Sequence, residues 1–250
     1  MAEPVGYLDA GPTRKPRAGG IKSVAEFVPT DRLMAVKALD WTNEPCTFPN
    51  AAPGLCWGTN PGGTKTFNGN DVNRSGDVFA LYAGDECFAG GGLDHEARAR
   101  VALEQGEDRE LEERLVLYLE AEDPTNTAIT GNLSTAIAAA ENAADNDYIG
   151  RPTIVMNRGD IYAASMGRVL EIRPNGEIYT KNGTPVLASG RVTVGDVFIT
   201  GQITVFTSPS IITNKVIHPI NNREMAIAER AYAFGIDCDY VLAYTATEAP

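Results

Sequence analysis

The hydrophobic positions of the chain follow two spacings, one typical of helices and one typical of strands. Over residues 93–121, apolar side chains such as Val101, Leu111 and Leu115 recur every three or four positions between charged residues. This spacing predicts an amphipathic helix, and Asp94 is suited to cap its N-terminus. At 1.5 Å per residue the helix would span about 40 Å, which is long for a domain built from a chain of this size.

Two shorter helices are predicted in the middle of the chain. Residues 132–146 are rich in alanine, and either Asn132 or Ser134 can serve as the N-cap. An apolar run at residues 153–156 predicts a buried strand, and residues 158–165 follow it as a helix.

Most other patterned stretches are short runs of β-forming residues. Residues 171–178 and 183–188 are such runs, around an Asn175-Gly176 pair that is a strong signal for a hairpin turn. Near the end of the chain, alternate residues from Ala226 to Phe234 share a face, which predicts one or two long strands. Because strands and helices do not alternate in a regular βαβ order, the predicted class is α+β. The predicted strands cover residues 77–88, 171–178, 183–188, 196–206, 211–217 and 224–246.

The segment from residue 41 to residue 71 has neither spacing. Proline, glycine and asparagine crowd it, which favours turns over regular structure. A long irregular loop of this kind is typically functional or packed on a partner. Trp41 and Trp57 both lie in it, and large aromatic side chains in such a loop suggest burial against another chain. Both tryptophans are therefore candidate inter-subunit contacts.

Charge is distributed unevenly along the chain. The net charge is −12, with a sequence pI of about 4.6, which disfavours a general nucleic-acid-binding protein. Residues 85–123 contain 13 acidic and 4 basic residues, whereas the first 39 residues contain six basic and four acidic ones. The acidic helix either presents a solvated face or is electrostatically matched to a neighbouring subunit.

Residues 1–22 are rich in proline, glycine and charge, and they predict an extended, mobile arm. An arm that buries little apolar surface is ordered only where something else holds it. We expect it to lie across a neighbouring subunit near the acidic helix. Arg14, Lys15 and Arg17 are its candidate inter-subunit contacts.

The four cysteines show no CxxC spacing, so neither a zinc site nor a redox motif is predicted. Cys87 and Cys238 lie in strand-like surroundings and are expected to be small buried apolar residues. Cys46 and Cys56 lie in the loop-rich stretch and would pair only in an oxidising environment. Free thiols are the expectation for all four.

Catalytic motifs are missing from the sequence. His95-Glu96 begins an HExxH-like pattern, but Ala99 occupies the place of the second histidine. A solvent-facing side chain is expected for His95 at the start of a helix, and we expect no chemistry from His218 either. These observations predict no enzyme activity, no catalytic residue, and no cofactor or metal site. The longest apolar runs are also too short to predict a membrane helix.

Three stretches, in order, resemble coat proteins of tailed bacteriophages of the Hong Kong 97 type, in particular those of phages that infect actinobacteria. They are FALYAGDECFAGGGLDHEARARVALEQGEDRELEE, RPTIVMNRGDIYAAS followed by NGTPVLASG, and MAIAERAYAFGIDC. The resemblance implies an N-terminal arm (1–40), an extended loop (41–76), a peripheral domain with a long spine helix (77–127), an axial domain (128–212) and strands that return to the peripheral domain (213–250).

The resemblance also implies a function without catalysis. Such subunits form pentamers and hexamers that close into an icosahedral shell around phage DNA. The implied partners are further copies of the chain, a separate scaffold, portal and decoration proteins, and packaged DNA held non-specifically at the inner face. The implied location is the virion, with assembly in the host cytoplasm and no membrane association.

Three other functions are compatible with the same observations. The first is an encapsulin-like nanocompartment shell, which has the same fold and encloses a cargo enzyme. The second is a minor head or decoration protein. The third is an enzyme whose active site lies in the proline-rich loop, with Cys46 and Cys56 as its reactive groups.

Overall fold

The structure, a computed structural model, describes residues 17–43, 46, 72–88, 94–122, 124, 126–218 and 222–247. Within these ranges it contains three α-helices, two five-stranded sheets and two two-stranded sheets, so the predicted α+β class is confirmed. The helices are α1 (His95–Ala121), α2 (Leu133–Asp147) and α3 (Arg158–Met166). The strands are β1 (Glu26–Pro29), β2 (Ala38–Asn43), β3 (Val72–Asp77), β4 (Phe79–Phe88), β5 (Asn126–Ile129), β6 (Thr153–Asn157), β7 (Leu170–Ile172), β8 (Ile178–Thr180), β9 (Val186–Ser189), β10 (Asp196–Thr200), β11 (Ile203–Thr207), β12 (Ile211–His218), β13 (Arg223–Ile236) and β14 (Val241–Ala246).

The helices begin where the sequence places caps. The carboxylate of Asp94 accepts a hydrogen bond from the backbone N–H of Ala97 at 3.0 Å, which satisfies one of the free donors at the start of α1. The side-chain oxygen of Asn132 accepts in the same way from Thr135 N at 3.3 Å at the start of α2. The predicted caps at Asp94 and Asn132 are confirmed. None of the helices in the described ranges is long and apolar enough to cross a membrane.

The predicted Asn175-Gly176 hairpin is also confirmed, since β7 and β8 pair antiparallel on either side of it. Gly176 has φ +86°, a left-handed conformation that costs glycine little. The Asn175 side chain accepts a hydrogen bond from Glu177 N at 3.1 Å, which holds the turn closed.

The first large sheet is built around β13, which is 14 residues long. β4 pairs along one edge of β13, whereas β11 and β12 pair along the other edge. Tyr232 lies between the two edges, since it is opposite Phe79 of β4 on one side and Thr207 of β11 on the other. β1 extends the sheet by a parallel pairing with β11. The α1 helix packs on this sheet, and Leu111, Leu115 and other residues of its apolar stripe join the main core there.

The second large sheet has the order β5-β14-β10-β6-β9. Helices α2 and α3 pack on it around a separate core that includes Ile137 and Ile154. Consecutive strands belong to different sheets at two places in the second half of the chain. β14 follows β13 but pairs with β10, and β11 follows β10 but pairs with β13.

At these two places the chain crosses between the sheets, and the two crossings lie near each other. One crossing is Gly201 and Gln202, between β10 and β11, and the other is the turn 237–240, between β13 and β14. The two crossings are hydrogen bonded to each other, with Gly201 N donating to Tyr240 O at 2.8 Å and Asp237 N to Gln202 O at 3.0 Å. We call the turn 237–240 the hinge turn.

The core begins earlier in the chain than the predicted arm allows. Ile21 lies in a short 3₁₀ turn and is fully buried in the same core as α1. Residues 17–22 are therefore part of the folded subunit, which corrects the expectation that the whole of residues 1–22 forms a mobile arm.

Strands β2 and β3 form a two-stranded antiparallel ribbon at the two ends of the predicted extended loop. Trp41 lies on β2 near the base of this ribbon. Trp57 and Cys56 lie beyond it, outside the described residues.

Candidate functional site

Residues 17–22 are held against the acidic helix α1 by ion pairs. Arg17 Nη2 lies 2.6 Å from Glu112 Oε2, and Lys22 Nζ lies 2.7 Å from Asp108 Oδ1 and 3.1 Å from Glu107 Oε1. Glu112 is only 2% exposed, and its burial raises the pKa of the carboxyl, which the charge of Arg17 only partly offsets. Arg17 therefore contacts α1 of its own chain. A contact of Arg17 with a neighbouring subunit stays a prediction.

Backbone hydrogen bonds fix the same segment on its other side. Gly19 N donates to Gly176 O at 2.7 Å, and Ala188 N donates to Gly19 O at 2.8 Å. The Arg158 guanidinium donates to Ala18 O at 2.9 Å and to Ala188 O at 2.7 Å. The segment thus joins α1, which packs on the first sheet, to α3 and β9 of the second and to the β7–β8 turn.

A buried carboxylate, Glu107, lies at the centre of the interface between α1 and β13. Its Oε2 accepts hydrogen bonds from the Tyr232 hydroxyl and from Arg230 Nη1, each at 2.7 Å. Burial and the Glu107 contact both raise the pKa of Tyr232. For Lys22, burial acts to lower the pKa, but the hydrogen bonds to Asp108 and Glu107 outweigh it and raise the value. Glu107 therefore links α1 to β13 and to the N-terminal segment.

His95 is buried, contrary to the expectation of a solvent-facing side chain, and is only 3% exposed. Its Nδ1 lies 2.6 Å from Asp85 Oδ2, and Arg98 Nε donates to the same oxygen at 3.0 Å. Burial alone would raise the pKa of Asp85, but the hydrogen bonds from His95 and Arg98 lower it below its ordinary value. The three side chains fasten the first turns of α1 to β4.

The base of the β2–β3 ribbon packs closely on the first sheet. The Trp41 ring lies 5.5 Å from the Phe206 ring, centroid to centroid. A Cβ added at Gly235 would lie 3.1 Å from both aromatic rings, and one added at Gly76 would lie 2.7 Å from Phe234 O. The backbone approaches so closely at these two positions that only glycine fits without a shift. Trp41 thus contacts its own chain, and a contact with a neighbouring subunit stays a prediction.

A disulfide between Cys46 and Cys238 joins the ribbon to the hinge turn, with the two Cα atoms 5.6 Å apart. This corrects the expectation of free thiols at both positions and the pairing considered between Cys46 and Cys56. Cys238 also lies in the hinge turn rather than in strand-like surroundings. An oxygen of Asp237 is within 4.8 Å of both sulfurs, but their mutual bond leaves neither as a thiolate that could bind a metal.

Two further side-chain contacts hold the hinge turn. Arg74 of β3 forms an ion pair with Asp239, and the Tyr148 hydroxyl donates to Asp237 Oδ2 at 2.7 Å. The Tyr148 oxygen also accepts a hydrogen bond from Gln202 N at 3.1 Å. Burial is the main cause that raises the pKa of Tyr148 to about 12, and the contact with Asp237 adds to it.

Several residues singled out in the sequence fall outside the part of the chain that the structure describes. Arg14, Lys15 and Trp57 lie outside the described residues, as do the side chains of Cys87 and His218. Glu107, Asp85 and the Cys46–Cys238 pair were not predicted. For Glu107 a signal existed, because it occupies the apolar stripe of α1 at four-residue spacing from Leu103 and Leu111. A lone carboxylate in such a stripe indicates a buried partner.

No family model matches the sequence, and no curated protein matches it. Solved structures do match over nearly the whole chain. The capsid of an empty GTA particle matches with a TM-score of 0.62 and 12% identity, covering 99% of this chain and 96% of that one. The capsid of the cyanophage P-SCSP1u matches with a TM-score of 0.58 and 10% identity, covering 98% and 93%. A chain from Mycobacterium phage Bobi matches with a TM-score of 0.57 and 14% identity, covering 99% and 96%.

The chain has the fold of a phage capsid protein. The resemblance drawn from the three sequence stretches is confirmed at this level. Many of the contacts described above join segments that are far apart in the sequence, such as Glu107 and Tyr232 at a separation of 125 residues. The division into arm, extended loop, peripheral domain and axial domain stays a prediction.

Proposed function

We propose that the chain is the major capsid subunit of a tailed phage, which assembles into pentamers and hexamers and closes into an icosahedral shell around DNA. The observation that carries the proposal is the fold match over 98% to 99% of this chain to capsids of a GTA particle and a cyanophage. A match that covers both chains almost completely leaves little of the subunit for a separate activity. The proposed role is therefore structural, without catalysis.

Exposed apolar side chains support assembly. Tyr162 and Met166 of α3 are 72% and 68% exposed, and they lie four residues apart, hence on one face of the helix. Ile172 on the adjacent strand β7 is 54% exposed. A neighbouring subunit that covered this face would remove apolar surface from water, which is the main driving force of association.

Finer parts of the proposal follow the sequence. The arm (residues 1–40), with Arg14, Lys15 and Arg17, and the extended loop (residues 41–76), with Trp41 and Trp57, are proposed to contact neighbouring subunits. A separate scaffold, portal and decoration proteins are the proposed partners. DNA is held non-specifically at the inner face, and assembly takes place in the host cytoplasm.

An encapsulin-like shell and a minor head or decoration protein are the alternatives. The matched structures named above favour neither, since two of them are described as capsids of a cyanophage and of a GTA particle. Particles purified from infected cells would separate the three functions. The proposed subunit should be the most abundant protein of DNA-filled particles, whereas a nanocompartment would contain a protein cargo and no genome.

The test is to purify the chain and to examine it by sedimentation and by electron microscopy. We expect capsomers or closed shells, whereas a folded monomer that persists at micromolar concentration would contradict the proposal. The paired change Tyr162→Ser with Met166→Ser should reduce the yield of shells and leave the unfolding of the subunit unchanged. Asn142→Ser, at an exposed position of α2, is the matched control and should assemble normally.

A further inference from the structure

The hinge turn is the point where several separate segments of the subunit meet. The chain crossings at residues 201–202 and 237–240 are bonded to each other there, and the end of α2 reaches the turn through Tyr148. The β2–β3 ribbon reaches it twice, through the Arg74–Asp239 ion pair and through the bond from Cys46 to Cys238. A change at this turn would therefore alter how the two sheets and the ribbon are held together.

The turn also has an unfavourable backbone conformation. Cys238 has φ 59° and Asp239 has φ 47°, two consecutive non-glycine residues in the left-handed region. Such a pair persists only where surrounding contacts hold it in place, and strained backbone of this kind is concentrated at switches and functional sites. Among the contacts that hold this turn, the disulfide is covalent and depends on the redox conditions.

We propose that Cys46 and Cys238 form a redox-controlled clamp. The two side chains are thiols while the subunit folds and assembles in the reducing cytoplasm, and they form the disulfide after the particle reaches an oxidising medium. The clamp then fixes the ribbon to the hinge turn in the finished shell. The inference rests on the proposed capsid function, because only a particle that leaves the cell passes from one condition to the other.

The chemistry is thiol–disulfide exchange. One thiol loses its proton, and its thiolate attacks a low-molecular-weight disulfide such as oxidised glutathione, which forms a mixed disulfide and releases one glutathione thiolate. The second cysteine, as its thiolate, then attacks the protein sulfur of the mixed disulfide and releases the other glutathione. Overall, two protein thiols are oxidised by two electrons, the small disulfide is reduced to two thiols, and the two protons pass to the released thiolates.

The first measurement counts free thiols. The chain has four cysteines, and the clamp uses two of them. Particles quenched with an alkylating agent at cell lysis and then denatured should carry four alkyl groups per chain by intact-mass spectrometry. Particles first incubated with oxidised glutathione should carry two, with peptide mapping to Cys46–Cys238. Two groups in the freshly quenched sample, or four after oxidation, would each overturn the proposal.

The second measurement is the temperature at which shells disrupt, with and without a reductant. Oxidised wild-type shells should disrupt roughly 5–10 °C higher than reduced ones. Cys46→Ser, which changes no residue of the hinge turn, should abolish this difference, and Cys56→Ser is the control that should preserve it. If Cys46→Ser shells show the same change in disruption temperature on oxidation, the disulfide is not the cause of that change. If wild-type shells show no change, the disulfide does not stabilise the shell. If no shells form, the capsid function fails, yet the thiol count on the unassembled chain still tests the bond.

Discussion

Tyr232 of β13 donates its hydroxyl hydrogen to Oε2 of Glu107 on α1 over 2.7 Å, and both side chains are buried, with 1% and 6% of their surface exposed. A hydrogen bond to a charged group in such surroundings contributes more to stability than one between neutral groups. It joins the long helix to the long strand, two elements that are more than 100 residues apart in the chain.

Tyr232→Phe should lower the free energy of unfolding by about 1.5–3 kcal/mol, because it removes one donor from a buried carboxylate. Denaturant unfolding of soluble capsomers measures this change. Tyr82→Phe is the matched control, since Tyr82 is 73% exposed, and it should change stability by less than about 0.5 kcal/mol. Equal unfolding midpoints for the two variants would contradict the role given to Glu107.

Asp85 should make the fold dependent on acid pH. The pKa of Asp85 is lowered in the folded chain, so the unfolded chain binds the proton more tightly. The stabilising contribution is complete above the unfolded pKa of about 3.9, and it is lost as the pH falls through the lower folded value. Acid unfolding curves of wild type and Asp85→Asn should therefore converge toward low pH and differ most near neutrality. A difference that is constant over this range would exclude the predicted linkage.

His95→Ala should destabilise the subunit by about 1–3 kcal/mol, because it removes a buried partner of Asp85. This follows from the burial of His95, which the sequence had predicted to face solvent. Thermal unfolding of capsomers measures the loss. His95→Asn is the informative companion, since its amide can donate a hydrogen bond and should recover part of the stability. If His95→Ala unfolds like the wild type, the buried contact does not stabilise the fold.

Trp41 and Trp57 should respond differently to truncation. Trp41 packs on Phe206 of the same chain, so Trp41→Ala should destabilise isolated capsomers by about 3–5 kcal/mol. Trp57→Ala is predicted to weaken shell formation more than it weakens the fold. Comparison of capsomer unfolding with shell yield checks both variants. Equal losses in fold and assembly for Trp57→Ala would mean that this tryptophan is an ordinary core residue.

Truncation should separate the arm from the core. Removal of residues 1–16, which include Arg14 and Lys15, should leave unfolding unchanged and reduce shell yield. Removal of residues 1–22 also deletes the fully buried Ile21, and it should destabilise the subunit itself by about 2–5 kcal/mol. Added salt screens the basic charges, so wild-type yield should fall toward that of the shorter truncation. Normal assembly after removal of residues 1–16 at every salt concentration would exclude a role for that part of the arm.

The sequence predicted local structure well because local structure depends on neighbouring residues. The capped starts of α1 and α2, strand β6 followed by α3, and the Asn175-Gly176 hairpin all follow from spacings of a few positions. The order of the three resembling stretches also predicted the capsid fold. Burial of single charged side chains was harder to predict, because a carboxylate on a helix usually faces solvent. Glu107, Glu112 and His95 are buried against partners that lie 10 to 125 residues away in the sequence, where a local pattern cannot indicate them.

By itself, the sequence determined where the three α-helices and the Asn175-Gly176 turn form, since these depend on the period of apolar side chains, on caps and on turn residues. Only the tertiary structure decided which strands pair in one sheet and which cysteines form a disulfide. β14 follows β13 directly but pairs in the other sheet, because the chain crosses over at the hinge turn. The same crossing places Cys238 beside Cys46, across 192 residues of sequence. No local sequence pattern encodes the contact between Cys46 and Cys238, because it results from packing the whole chain around two cores.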